Sequence, residues 1–90
     1  MKEVKSGKRF KKDLKRYANQ PNKLRKLYEV VDKLRKGESL PSSCRPHMLL
    51  GDYAGHMECH IDGDYLLIWF DEDAEVIKLI RLGSHSELFG

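Results

Sequence analysis

The sequence predicts an α+β fold. Two basic, helix-forming segments fill its first half, strand-like segments fill its second, and the run from Tyr65 to Phe70 is apolar at every position. Such a run fits a central strand covered on both faces. Two helices that each carry one apolar stripe bury both most economically by packing side by side across one face of a sheet. The expected order is therefore β-α-α-β-β-β-β in a single domain, residues 1–90.

Residues 2 to 5 form a short edge strand in this reading, with Val4 as its one apolar position. Ser6 reads as an N-cap, and Phe10, Leu14, Tyr17 and Ala18 follow at helical spacing. Asn19-Gln20-Pro21-Asn22 breaks the helix, with Asn22 able to cap the next. In that second helix Leu24, Leu27, Tyr28, Val31 and Leu34 recur at spacings of three and four until Gly37, a natural stop. The stripe residues, both tyrosines included, are expected in the core. Residues 38 to 46 hold two prolines and three serines and read as a connecting loop.

After the loop the pattern changes to strands. His47 to Leu50 precedes a turn over Gly51 to Gly55, and His56 to Ile61 leads into Asp62-Gly63, a tight-hairpin signal. Asp71 to Ala74 turns the chain after the apolar run, and Val76 to Leu82 supplies the last strand. Ser84 and Glu87 have the spacing of a capping box, so a short helical turn is expected to follow.

Charge divides the chain in the same place. Residues 1 to 46 carry fifteen Lys/Arg and five Asp/Glu, a net +10, whereas residues 47 to 90 carry two and nine, a net −7. A basic helical surface attracts phosphate backbones at long range, and an acidic protein partner suits it equally. No apolar stretch is long enough to cross a bilayer or to act as a signal peptide, so a cytoplasmic location without membrane association is expected. Cys44 and Cys59 form no C-x-x-C pair and read as free thiols.

All four histidines fall in the second half. His47, His60 and His85 stand near strand ends, where side chains can converge at one rim of a sheet, with Asp64 after the hairpin signal and Arg81 before the terminal segment. Two histidines can divide acid and base work near neutral pH, and a cation can stabilise a charged phosphorane-like state. That combination suits cleavage of a phosphodiester through the ribose 2′-hydroxyl. Phe89 could stack on a base. His56 lies at the far end of its strand and is set aside as structural or exposed. A two-residue turn at Asp62-Gly63 would pair His60 with Tyr65 and Ile61 with Asp64, putting His60 and Asp64 on opposite faces. A shared site then needs Asp64 to leave the ladder, with a bulge nearby. Neither a metal site nor a cofactor is expected, since no ligand pair has compact zinc-like spacing.

His47-Met-Leu-Leu-Gly51, Tyr53-Ala-Gly55, Glu58-Cys-His-Ile61, Asp64-Tyr-Leu-Leu-Ile-Trp69 and Arg81-Leu-Gly-Ser-His-Ser-Glu-Leu-Phe89 together resemble the YafQ branch of the RelE/ParE toxin superfamily. The basic start Lys8-Arg-Phe-Lys-Lys-Asp-Leu-Lys-Arg16 is similar too, so the resemblance covers the whole chain. It implies a RelE-like microbial RNase fold with a twisted, mainly antiparallel sheet, and a type II toxin that enters the ribosomal A site and cuts mRNA. It further implies a cognate antitoxin as partner, a monomer when free and a hetero-oligomer with the antitoxin. His47, His60, Asp64, His85 and Phe89 match the family's active-site positions, and Arg81 its basic position on the final strand. The roles implied are His85 as general acid, His47 or Asp64 as general base, His60 orienting or stabilising the phosphate, and Arg81 and Phe89 binding substrate. Met57, Gly63 and Tyr65 depart from the family pattern, which has arginine, proline and tryptophan there. The same fold could also serve a ParE-like gyrase inhibitor or a non-catalytic RNA- or antitoxin-binding module.

Overall fold

The computed structural model describes all 90 residues. Strand β1 (Glu3–Ser6) leads into helices α1 (Lys8–Lys15) and α2 (Pro21–Arg35). Strands β2 (His47–Met48), β3 (Met57–Asp62), β4 (Tyr65–Asp73) and β5 (Val76–Gly83) follow, and α3 (His85–Phe89) comes last. The five strands form one mixed sheet in the order β1-β5-β4-β3-β2. β1 runs parallel to β5, which the two intervening helices make possible, and the other pairings are antiparallel.

β4 is the central strand, and its alternation feeds two cores. Tyr65, Leu67 and Trp69 face α1 and α2, where they pack with Phe10, Tyr17, Leu27, Val30, Ile77, Leu79 and Leu82. Leu66 and Ile68 face the other way and meet Leu88 of α3, with Leu49, Tyr53 and Ile80 around them. Burial of each large apolar side chain contributes about 1.5–3 kcal/mol. The helix-covered face therefore dominates stability, and the lightly covered face is left for function. No helix is long and apolar enough to cross a membrane.

Several element ends differ from the sequence reading. Ser6 belongs to β1, opposite Leu79, so Gly7 rather than Ser6 is the N-cap of α1. α2 begins at Pro21 instead of after Asn22, because a proline at the first helical position loses no hydrogen bond. Its buried side chains are Leu27 and Val30, and Tyr28 is turned out and exposed. β2 is cut to two exposed residues at the sheet edge. β4 extends through Asp73, so the acidic residues 71–73 prolong a strand that then turns at Ala74 and Glu75.

The largest difference is the β3–β4 hairpin. Its ladder runs Glu58↔Ile68, Cys59↔Leu67, His60↔Leu66 and then slips to Asp62↔Tyr65, leaving Ile61 as a bulge. The turn is Gly63-Asp64, not Asp62-Gly63. Gly63 adopts φ +57°, which a residue without Cβ takes at little cost. Ile61 packs against the helix-side core, and Asp62 pairs with Lys26 of α2, so both hold the strand one residue longer.

Candidate active site

His47, Glu58 and His60 project from the face opposite α1 and α2. β2 and β3 pair His47 with Glu58, and β3 and β4 pair His60 with Leu66, itself opposite Gly83 of β5. One row across the sheet thus leads from His60 to the end of β5, where His85 begins α3. With strands about 4.8 Å apart, that row is about 10 Å long. The His47 and His60 rings lie 6.4 Å apart, centroid to centroid.

The two rings differ in their hydrogen bonds. His60 Nδ1 lies 3.0 Å from the Gly63 carbonyl oxygen. A carbonyl only accepts, so Nδ1 carries the proton, and Nε2 has no protein partner. His47 Nδ1 lies 2.8 Å from the Arg45 carbonyl, and its Nε2 lies 3.2 Å from Glu58 Oε1. Both of its nitrogens thus face acceptors, an arrangement met by the imidazolium beside a carboxylate or by a neutral ring beside a protonated Glu58. Arg45 presents its carbonyl by adopting a left-handed backbone, φ 45° and ψ 57°.

Glu58 is the residue that sequence reading passed over. Its side chain is 5% exposed while that of His47 is 47% exposed, and Glu58 Oε2 is buried without a partner. Alternation with His60 already placed it on this face, but its burial depends on β2 folding over it.

The Gly63-Asp64 turn joins the histidines to α3. Asp64 stands in the turn, outside the ladder, and its Oδ1 accepts the His85 backbone N–H at 2.9 Å. That bond satisfies one of the free donors at the start of α3. The capping box is present: Ser84 Oγ accepts from Glu87 N at 3.2 Å, and Glu87 Oε1 accepts from Ser84 N at 2.7 Å. These bonds to Ser84 hold the Glu87 carboxyl below its ordinary range. A Cβ at Gly83 would lie 2.9 Å from Glu87 Oε1, so the box needs glycine before it. The exposed His85 ring contacts Phe89 at 4.9 Å, one turn further along α3.

Arg81 is placed differently from the sequence expectation. Its side chain is 7% exposed, and its Nε and Nη2 donate to Asp13 at 2.7 and 3.2 Å. Asp13 also accepts the Leu82 backbone N–H at 3.0 Å, where β1 has ended and the β5 edge lacks a strand. The bond to Asp13 raises the pKa of the guanidinium. Its third contact, Nη1 to the Tyr53 hydroxyl at 3.3 Å, leads on to Phe89, whose ring meets that of Tyr53 edge to face at 5.8 Å. His56 packs between Tyr53 and Phe70 at 5.8 and 5.0 Å, away from the other histidines. Cys44 and Cys59 are free and buried, and burial pushes the Cys59 thiol up to about 12.

The profile of a family described as bacterial toxin of type II toxin-antitoxin system, YafQ, matches residues 2–90. The chain belongs to the YafQ toxin family. A YafQ of Escherichia coli K12 named as an mRNA interferase toxin is 29% identical over 89 residues, covering 99% of this chain and 86% of that protein. A metal-bound toxin from Helicobacter pylori superimposes with a TM-score of 0.89 at 38% identity, covering 99% of this chain and all of that one. YafQ in the E. coli DinJ-YafQ complex shares the fold, with a TM-score of 0.86 at 24% identity over the full length of both chains. The YafQ family fold is thus α+β with a five-stranded mixed sheet here. No three His, Cys, Asp or Glu side chains of this chain are grouped to hold a metal ion.

Proposed function

We propose that this chain is the toxin of a type II pair and an endoribonuclease that cuts mRNA in the ribosomal A site without a metal ion. One observation carries the reading: two neighbouring histidines on the open face of the sheet have complementary hydrogen-bond states, and the Gly63-Asp64 turn ties them to a third.

The chemistry follows from those states. His60 Nε2 carries the lone pair and removes the proton of a ribose 2′-hydroxyl. The 2′-oxygen attacks the adjacent phosphorus, and the bond from phosphorus to the 5′-oxygen breaks. His85 gives the leaving oxygen its proton. His47, held by Glu58 and the Arg45 carbonyl, faces the charge that builds on the phosphoryl oxygens. The products are a 2′,3′-cyclic phosphate and a 5′-hydroxyl. This assignment gives His60 the base role and Asp64 a holding role, and it makes Arg81 a strut beneath Tyr53. Phe89 stacks on a base near the cut.

The basic first half docks on ribosomal RNA, and a cognate antitoxin binds the chain as DinJ binds its relative. A gyrase inhibitor on the same fold would need no proton carriers, so the paired histidines favour the nuclease. The test is His85→Ala, followed by growth of expressing cells and by mRNA cleavage in a translating extract. Growth arrest and mRNA cleavage are expected to disappear while the protein stays folded, and undiminished toxicity would overturn the catalytic reading. Equal cleavage of naked RNA would remove the ribosome from the mechanism.

A further inference from the structure

Beside α3, behind the ring of Phe89 already assigned to base stacking, lies a cavity of about 420 Å³ lined by Arg9, Leu50, Asp52, Tyr53, Leu88 and Phe89. We propose that it is a nucleobase subsite selective for guanine, with Tyr53 and Phe89 as aromatic walls, Asp52 reading the base edge and Arg9 holding the adjoining phosphate. The inference rests on the ribonuclease reading and deepens it by naming a base.

Size, position and chemistry support it. The volume falls within the range of small-molecule sites, about 300–1,000 Å³. Phe89 separates the cavity from His85 by a single ring, so a base seated there belongs to a nucleotide close to the cut. Tyr53 is held in place: its hydroxyl accepts from Arg81, and Arg81 is clamped by Asp13. Its edge-to-face contact with Phe89 keeps the rings at nearly right angles, 89°, so they do not stack on one another and fill the space. Leu50 on the rim is 89% exposed and offers an apolar edge to a base seated in the cavity. Arg9 and Asp52 form no ion pair with each other or with any other side chain. One free cation and one free carboxylate in the same cavity match the two ends of a nucleotide.

Asp52 decides the base. An ionised carboxylate only accepts hydrogen bonds, and guanine alone offers two adjacent donors, N1–H and its amino group, on one edge. Adenine and cytosine each place a bare ring nitrogen beside the amino group. Uracil flanks its single N–H with two carbonyls. Each of these turns a lone pair toward Asp52.

Mapping mRNA 5′ ends after expression of the wild-type chain and of Asp52→Asn tests the selection. Guanine is expected to be enriched at one fixed position beside the cut, and Asp52→Asn is expected to lower that enrichment about tenfold. An unchanged base distribution in the variant would overturn the proposal. A second measurement is independent of cleavage: titration of the labelled protein with guanosine 3′-monophosphate and with uridine 3′-monophosphate, followed by amide NMR shifts. Guanosine is expected to move the Leu50, Tyr53 and Phe89 signals, uridine far less, and Asp52→Lys to remove the difference. Equal shifts from both nucleotides would overturn the selectivity. If guanosine binds in this way and the wild-type chain cuts no mRNA, the nuclease reading fails and the subsite stands. Cleavage with no base preference leaves the nuclease and removes the subsite.

Discussion

Glu58 Oε1 lies 3.2 Å from His47 Nε2, and the second oxygen of the same carboxylate is buried with no partner. A buried carboxylate behind an exposed imidazole fixes the ring, and loss of the carboxylate that orients a histidine in metal sites costs about 10–100-fold. Glu58→Gln is therefore expected to lower the single-turnover cleavage rate by about that factor while the melting temperature holds. An unchanged rate would mean that His47 works without this support.

Asp64 distinguishes a base from a holder. As the acceptor for the His85 N–H, it can be replaced by another acceptor, so Asp64→Asn should keep most of the cleavage. Asp64→Ala removes the acceptor of the His85 N–H beside the intact Ser84/Glu87 box, destabilises the start of α3 by about 1 kcal/mol and lets His85 drift. Cleavage assays on both variants decide: a general base would be lost equally in the two.

Asp13 and Arg81 form the one ion pair whose side chains are both nearly inaccessible, 3% and 7% exposed. Removing one partner strands a buried charge, so Asp13→Ala is expected to cost about 3–5 kcal/mol in urea unfolding. A paired change to two apolar residues, Asp13→Leu with Arg81→Met, should recover much of the stability without recovering cleavage, since Tyr53 would still lose its donor. Full activity in that double variant would show that the strut does not matter.

The capping box carries a pH signature. Glu87 is held below its ordinary 4.5, first by the Ser84 N–H. A depressed carboxylate stabilises the fold above its unfolded pKa, and this contribution fades as pH falls through the lower folded value. Melting temperature should therefore drop more steeply below pH 4.5 in the wild type than in Glu87→Gln, and the two slopes should match near neutrality. Parallel curves throughout would remove Glu87 from the acid response.

Periodicity made the framework legible. The unbroken apolar run at 65–70 marks the central strand, and the Ser84/Glu87 spacing marks α3. What stayed hidden depended on contacts between distant segments. The Ile61 bulge exists because Ile61 and Asp62 each find a partner near α2, and no local signal reports that. Glu58 looks like any outward-facing strand residue until β2 covers it. Arg81 reads as a free cation until α1 supplies Asp13 from 68 positions away. Tyr28 fits the helical stripe by spacing, yet the sheet contacts Leu27 and Val30 instead, a rotation that the stripe alone leaves open.

The parallel pairing of β1 with β5 also sets the order of assembly. Glu3 to Ser6 emerge early in synthesis, but their partners, Val76 to Leu79, follow some seventy residues later. Contacts of such long range slow folding, because loop-closure entropy opposes them. His85 comes later still, so the cutting site takes shape only when nearly all of the 90 residues are available. The site is thereby the last part of the fold to be completed, with no element devoted to that delay.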